Sequence, residues 1–322
     1  MSELYNEELK MAFLDRYENK STRNTMINVF KWSAKTEKPL NRDLYEFTLN
    51  EIRLVLVDMN SSSIDSIRSN GRFISYYLDW IIGEGYKVNE NPLNGLLNEW
   101  YENIYDSSKK TIFTEKEINE MEKALVNAQD AVVLKLLFEG VEGEGLSELL
   151  NLQEKDVNFD TGILSLRNDS GEKREIEVSE GSLNLIRQAI KNVPYALKNG
   201  LSEGKRREIE VVNNNYIVRS TIGRTINLDR ADKHLIYRRL ATMSEQFNYR
   251  YLTANNIVKS GKLKLAKDLY KDRKQLTNKE LDIIAEQFGM KKTMTQGTYR
   301  YNSMRAYINE ENIRGMYPEI FE

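Results

Sequence analysis

Residues 1–106 carry apolar side chains at helical intervals almost without a break. Over residues 3–17, Leu4, Leu9, Met11, Phe13 and Leu14 recur at roughly helical spacing. Ser21 or Thr22 is placed to cap a second helix, with Met26, Ile27, Phe30 and Trp32 turned inward and Pro39 past its end. Residues 48–59 repeat the pattern through Leu49, Ile52, Val55 and Leu56. The polar run Ser61-Ser62-Ser63 opens a long helix to about Gly83. Its apolar stripe is Ile64, Ile67, Ile74, Tyr77, Leu78 and Ile81, and its other face carries Asp65, Arg68, Ser69, Arg72 and Asp79. Gly83 and Gly85 stop it, and Asn91-Pro92-Leu93 starts a last helix to about Tyr105.

The short charged run Asp106-Ser107-Ser108-Lys109-Lys110 reads as a linker, dividing the chain into residues 1–108 and 109–322. Beyond it, Thr114 and Glu117 have the spacing of a capping box. Helices are expected at 114–127, 130–140, 145–151, 180–191, 230–247, 253–270 and 277–288. Gly162-Ile163-Leu164-Ser165-Leu166 and Glu175-Ile176-Glu177-Val178 read as short strands around the turn Asn168-Asp169-Ser170-Gly171. Tyr216-Ile217-Val218 has the composition of a further strand. The fold class is therefore mainly α with a small antiparallel β-sheet.

Composition narrows the chemistry. The 322 residues include no Cys and one His, His234. Disulfides, thiol nucleophiles, Cys-zinc sites and HExxH-type sites are excluded, and no metal or cofactor is expected. There is no run of about 18 apolar residues, and the acidic, amphipathic N-terminus is not a signal peptide. These features point to the cytoplasm. The net charge of -2 conceals an asymmetry: residues 1–200 hold 24 Lys and Arg against 34 Asp and Glu, residues 201–322 hold 23 against 15. A basic last third points to phosphate contact, which depends on local charge density.

Several segments fall in a telling order. Asn91-Pro92-Leu93 ends the first domain. Gly145-Leu146-Ser147-Glu148-Leu149-Leu150-Asn151-Leu152 follows, then Asp156-Val157-Asn158-Phe159, a hairpin, further helices and the stretch 288–299. In this order the chain resembles the tyrosine recombinases (phage integrases). The resemblance implies a helical, SAM-like core-binding domain that clamps DNA, then an α+β catalytic-type domain. In that family a tyrosine attacks a DNA phosphodiester, and two Arg, a hairpin Lys and His or Trp partners steady the developing charge. Arg suits this task because its planar fork holds two phosphate oxygens and keeps its charge. A phenol, with a pKa of about 10, is a poor nucleophile without such help.

The resemblance also locates departures. It puts the first Arg position on Gly145, preceded by Glu142 and Glu144. A carboxylate 4 Å from a phosphate costs about 4 kcal/mol at an effective dielectric near 20. The His and Arg of the second box fall on Asn255 and Val258, and the His of the last box on Met290. Lys173 is a loose match to the hairpin Lys. Tyr299 keeps the nucleophile's spacing, ten residues after Gly289. Each lost donor typically costs roughly 10²–10³ in rate. The expectation is a degenerate site without enzymatic activity, in which Gly145, Lys173, Asn255, Val258, Met290 and Tyr299 are vestigial. His234-Leu235-Ile236-Tyr237-Arg238 offers a rival match to the second box. It lies 65 residues before Tyr299 and its spacing is one residue too long, so His234 reads as a surface residue.

DNA binding remains. In the first domain Arg23, Lys31, Arg68 and Arg72 are the polar-face cations. In the second the densest run holds Lys259, Lys262, Lys264, Lys267, Lys271, Arg273 and Lys274, with Lys264, Lys267 and Lys271 on one helix face. Lys173, Lys205, Arg206, Arg207, Arg219, Arg224, Lys291, Lys292 and Arg300 are further candidates. The pattern also resembles the integrase-like repressors of SPβ-type Bacillus prophages. This implies a sequence-specific transcriptional repressor that maintains lysogeny on double-stranded operator DNA in the host nucleoid. Two alternatives stay open: an active recombinase using Tyr299, and a protein-interaction module without DNA binding. The tail, residues 304–321, either packs on its own domain or passes to a neighbouring copy.

Overall fold

The helical spacing of the first hundred residues becomes five helices in a computed structural model. The structure describes all residues except 1–3, 62, 88–89, 106–109, 192, 224–228, 293–296 and 322. The chain divides into two compact units, residues 1–109 and 110–322. The first holds α1 (Glu7–Leu14), α2 (Lys20–Leu40), α3 (Leu49–Asp58), α4 (Ile64–Gly83) and α5 (Asn98–Glu102). Their apolar stripes meet in a core where the rings of Phe13, Phe30 and Tyr77 contact one another edge to face, 5.0–6.0 Å apart.

That core also encloses charge. Lys10 is fully buried, and its Nζ lies 2.5 Å from Glu37 Oε1 and 3.6 Å from Asp43 Oδ2. Ser33 Oγ and the Leu44 N–H donate to Glu37, and Tyr77 Oη donates to Asp43. The group joins α1, α2, the turn before α3 and α4. Burial raises the Glu37 pKa, and Lys10 opposes that rise.

Three local expectations are corrected. Asn19, not Ser21 or Thr22, caps α2; the backbone N–H groups of those two residues donate to Asn19 Oδ1. Pro39 lies inside the last turn of α2, which Asn41 closes in the left-handed region (φ 49°). The helix expected from Asn91 to Tyr105 shrinks to α5. The Asn91 amide is committed to Ser75 and Asp79 on α4, and Gly95 (φ 75°) turns the chain first.

The second unit starts with α6 (Glu115–Ala124), opened by the Thr114–Glu117 capping box. Then come α7 (Ala128–Phe138), α8 (Ser147–Asn151), β1 (Val157–Asn158), β2 (Ile163–Arg167), β3 (Lys173–Glu177) and α9 (Glu180–Ala189). The strands form an antiparallel sheet in the order β1-β2-β3, with Leu164 opposite Ile176 and Arg167 opposite Lys173. The chain continues through β4 (Tyr195–Ala196), β5 (Glu208–Ile209), α10 (Lys233–Phe247), α11 (Ala254–Arg273), α12 (Asn278–Gln287), α13 (Tyr301–Arg305) and α14 (Glu310–Met316). Apolar on all sides, α7 is buried from Gln129 to Phe138 and packs against α6, α9 and α11.

Tyr216-Ile217-Val218 makes only an isolated bridge, Gln153 to Tyr216. The Gln129 side chain replaces a ladder there: it donates to Ile217 O and accepts from Arg219 N. The tail packs on its own unit. Met304, Ile308 and Ile313 enter the core, and Tyr317 Oη accepts from the Glu115 N–H. Among the described residues no helix is long and apolar enough to cross a membrane.

The buried charge cluster makes a stability prediction. Replacing Lys10 by Met strands Glu37 and Asp43 and should destabilise residues 1–109 by about 3–5 kcal/mol. All three Trp (Trp32, Trp80, Trp100) lie in this unit, so urea unfolding followed by Trp fluorescence reads it selectively.

Candidate nucleic-acid interface

The segment after α7 is shaped by left-handed backbone. Gly140, Gly143 and Gly145 all have positive φ, and so does Leu146 (φ 66°). Gly145 is exposed, at the rim of a cavity of about 520 Å³ that is also lined by Glu142, Tyr237, Arg250, Leu252 and Asn255. A Cβ at Gly145 would meet open space, but its φ of 65° disfavours any other residue.

The guanidinium nearest this turn is Arg174, which sequence reasoning passed over for its neighbour Lys173. Strand alternation sends the two to opposite sides. Lys173 is exposed, whereas Arg174 points inward and pairs with Glu148 through Nε (2.7 Å) and Nη2 (2.6 Å). Its remaining donors reach the carbonyls of Gly140 (2.7 Å), Gln287 (2.8 Å) and Glu286 (3.2 Å). All five N–H groups are therefore engaged within the protein. Gly289 is required beside it, because a Cβ there would sit 2.7 Å from Arg174 Nε. The sequence signal was the alternation Arg174, Ile176, Val178, which puts Arg174 on the buried side.

Of the remaining positions, Asn255 lines the same cavity as Gly145. Asn255 is exposed in the first turn of α11, while Val258 is buried in the core. Met290 is half-buried. Tyr299 is buried, with Lys292 Nζ 5.1 Å from its ring centroid. Burial raises the Tyr299 pKa, and Glu286 and Asp282 add to the rise. Among the described residues no group of three or more Asp, Glu or His is placed to hold a metal ion.

The expected basic surfaces are partly occupied. Arg23 pairs with Asp15 (3.0 Å), and Arg68 with Glu102 (2.9 Å) and Asp65 (3.4 Å). Lys31 and Arg72 are exposed. The single face expected for Lys264, Lys267 and Lys271 is divided. Lys264 and Lys267 both face Glu115 and Asp268, and Lys267 also lies over the Tyr317 ring. Lys271 alone of the three is exposed. Lys262 is half-buried over the Phe288 ring, and burial lowers its pKa against the pull of Glu142. Lys259 is half-buried; Lys205, Arg206, Arg207, Lys291, Lys292 and Arg300 are exposed. Arg219 is corrected outright: it is 2 % exposed and donates to the carbonyls of Ala189 and Lys191. Arg224 lies outside the described residues.

Comparison with known proteins gives the family. Residues 112–318 match the C-terminal catalytic domain of MrpR, and residues 4–84 match its N-terminal core-binding domain. The chain belongs to the MrpR family. It is 33 % identical over 322 residues to the SPbeta prophage-derived uncharacterized protein YopR of Bacillus subtilis (strain 168), covering 98 % of this chain and 97 % of that protein. Its fold is similar to that of the Tn1549 transposon integrase, solved in complex with transposon right end DNA. The TM-score is 0.50 at 12 % identity, over 98 % of this chain and 99 % of the other. The MrpR-family chain thus has a two-domain, tyrosine-recombinase-like fold.

Within the catalytic-type domain of this MrpR-family member, α10 presents a surface that charge counting missed. Ile236, Arg239, Leu240 and Met243 pack inward. Lys233, His234, Tyr237, Arg238, Ala241 and Thr242 are exposed, and the rings of His234 and Tyr237 stack edge to face at 6.0 Å. The buried Arg239 explains why one of two adjacent Arg is unavailable. It holds Asp130 at 3.2 Å and the carbonyls of Gln129 and Arg219.

The geometry around Arg174 predicts its mutational cost. Arg174→Met leaves Glu148 buried without its partner and removes a donor from the carbonyls of Gly140 and Gln287. It should lower stability by about 3–5 kcal/mol, read as an earlier thermal transition by calorimetry.

Proposed function

We propose that this protein is a sequence-specific DNA-binding transcriptional repressor that keeps prophage lytic genes silent. In this reading it is built on a tyrosine-recombinase fold that no longer cuts DNA. The observation that carries the reading is Tyr299, a buried phenol whose ionisation is opposed by burial and by two carboxylates. An attacking phenolate needs the reverse environment. Two further features support it: Val258 faces the core, and the donors of Arg174 are already engaged.

DNA binding is supported by the basic balance of residues 201–322 and by the outer face of α10. A helix of 15 residues is about 22 Å long and fits the major groove. His234, Tyr237, Arg238 and Thr242 read base edges there. Residues 1–108 supply backbone contacts through Lys31 and Arg72, and Arg23 and Arg68 exchange their carboxylate partners for phosphate. The SPbeta origin of YopR and the DNA bound to the Tn1549 integrase fit this reading. Occupancy of an operator then blocks polymerase, with no covalent intermediate.

Selection from a random duplex library should return a preferred sequence. A nicked form of that duplex should yield no covalent protein–DNA adduct. An adduct that disappears in Tyr299→Phe would establish a recombinase instead, and the absence of any salt-sensitive binding would leave an interaction module.

On the selected duplex, Arg238→Ala should weaken binding by about 5- to 150-fold and relax selection at its base pair. Arg72→Glu should weaken all duplexes alike and make the slope of log affinity against log salt shallower by about 0.9. Fluorescence anisotropy over a salt series measures both.

A further inference from the structure

The C-terminal half of α4 carries a second stripe that the core does not use. Ile67, Ile74, Tyr77, Leu78 and Ile81 are its buried face. Tyr76, Asp79, Trp80 and Gly83 of α4, with Glu84 after it, fall at i, i+3, i+4, i+7 and i+8, the spacing that sets side chains along one helix face. The outward stripe of a helix in a globular protein is normally polar, yet this one carries two large rings. Tyr76 is 45 % exposed and Trp80 is half-buried.

Together with Arg16 and Tyr17, which follow α1, these five residues line a cavity of about 450 Å³. That volume is within the range of small-ligand sites, about 300–1,000 Å³. Two of its walls are braced by one core ring: Phe13 meets Tyr17 at 5.4 Å and Trp80 at 5.5 Å, and Trp80 also lies 6.2 Å from the ring of Tyr77. Gly83 leaves the cavity open, since a Cβ there would meet nothing within 4 Å. Among the described residues, the two phenol hydroxyls, the Trp80 indole N–H, the Arg16 guanidinium and the Glu84 carboxylate have no hydrogen-bond partner within the protein. Asp79 accepts from the Asn91 amide through Oδ1 (2.8 Å).

The chemistry of this lining is selective. Aromatic faces carry negative charge density and attract cations, and they suit an alkylated ammonium ion, whose methyl groups also pack against the rings. Asp79 and Glu84 reinforce that preference and repel a phosphate backbone. Arg16 is the single cation of the cavity and suits an anionic group on the same ligand. We propose that this cavity binds a small quaternary-ammonium zwitterion of the betaine type. Tyr17, Tyr76 and Trp80 face the trimethylammonium group, Asp79 and Glu84 balance its charge, and Arg16 holds the carboxylate. The site lies within residues 1–109 and shares no residue with the DNA contacts proposed above.

The test uses the full chain labelled with ¹⁵N. Its three Trp residues give three indole N–H resonances, and Trp80→Phe identifies the one in the cavity. Glycine betaine at millimolar concentrations should shift the Trp80 resonance saturably and leave those of Trp32 and Trp100 in place. Tetramethylammonium, which lacks the carboxylate, should bind about tenfold more weakly. The isostere tert-butylacetate, with carbon in place of the charged nitrogen, should not bind. Tyr76→Leu removes an exposed ring and should weaken betaine about fivefold at an unchanged melting temperature. Arg16→Gln should bring betaine down to the affinity of tetramethylammonium without weakening tetramethylammonium itself. Glu84→Gln should weaken both cations. No saturable shift with either cation up to tens of millimolar would overturn the proposal, and so would tert-butylacetate binding as tightly as betaine. A shift spread over all three indoles, or affinities left unchanged by both Tyr76→Leu and Glu84→Gln, would overturn it as well. Glu84 is exposed, so its variant decides the matter if Tyr76→Leu loses stability.

Discussion

The Arg174 guanidinium offers five N–H donors in one plane, and the fold supplies an acceptor for each. Two are carboxylate oxygens of Glu148 and three are carbonyls at the ends of α7 and α12. Helix C-termini leave carbonyls without partners, and a cation there also meets the negative end of the helix dipole. One side chain therefore joins a strand, a short helix and two helix ends that are far apart in sequence. The turn holding Glu142 and Gly145 hangs from this junction, since the Glu148 N–H donates back to Glu142 O. Gly289 passes against the same guanidinium with no room for a side chain. A guanidinium held this way is unavailable to a phosphate oxygen: to engage DNA it would have to abandon contacts on which the local fold depends.

Much of the helical framework was legible because amphipathic periodicity is local. Thr114 and Glu117 announce α6, Thr48 opens α3, and the stripe from Ile64 to Ile81 gives α4. What failed was information held in tertiary contacts. Nothing near Lys10 in sequence says that it will be enclosed by Glu37 and Asp43, 27 and 33 residues away. Asn91 before Pro92 has the pattern of a helix start, yet its amide belongs to α4. The strand at Tyr216 was lost because the Gln129 side chain pairs with that backbone from a helix nearly ninety residues earlier.

The site was legible as a set of positions but less well as geometry. Lys173 and Arg174 are one residue apart, and in a strand one residue reverses the face, so one is exposed and the other is engaged within the protein. The basic run on α11 has the same lesson. Spacing puts Lys264, Lys267 and Lys271 on a common stripe, yet Glu115 from α6 and Asp268 from α11 itself take up the first two. A cation count sees charges; only packing shows which are already answered.

That distinction bears on how strongly salt should govern binding. Each phosphate neutralised by a free lysine or arginine releases condensed counterions and adds to the salt slope. An arginine that must first leave a carboxylate contributes less, because the abandoned carboxylate gathers cations of its own. Arg23 and Arg68 are of this kind, as are Lys264 and Lys267, whereas Arg72 and Lys271 are exposed. Pre-pairing some of the cations in this way lowers general affinity for DNA and leaves more to discrimination. Contacts to bases then carry a larger share of the binding free energy, because the sequence-independent share has been reduced in advance. For the operator-binding role proposed above, that is the more useful division.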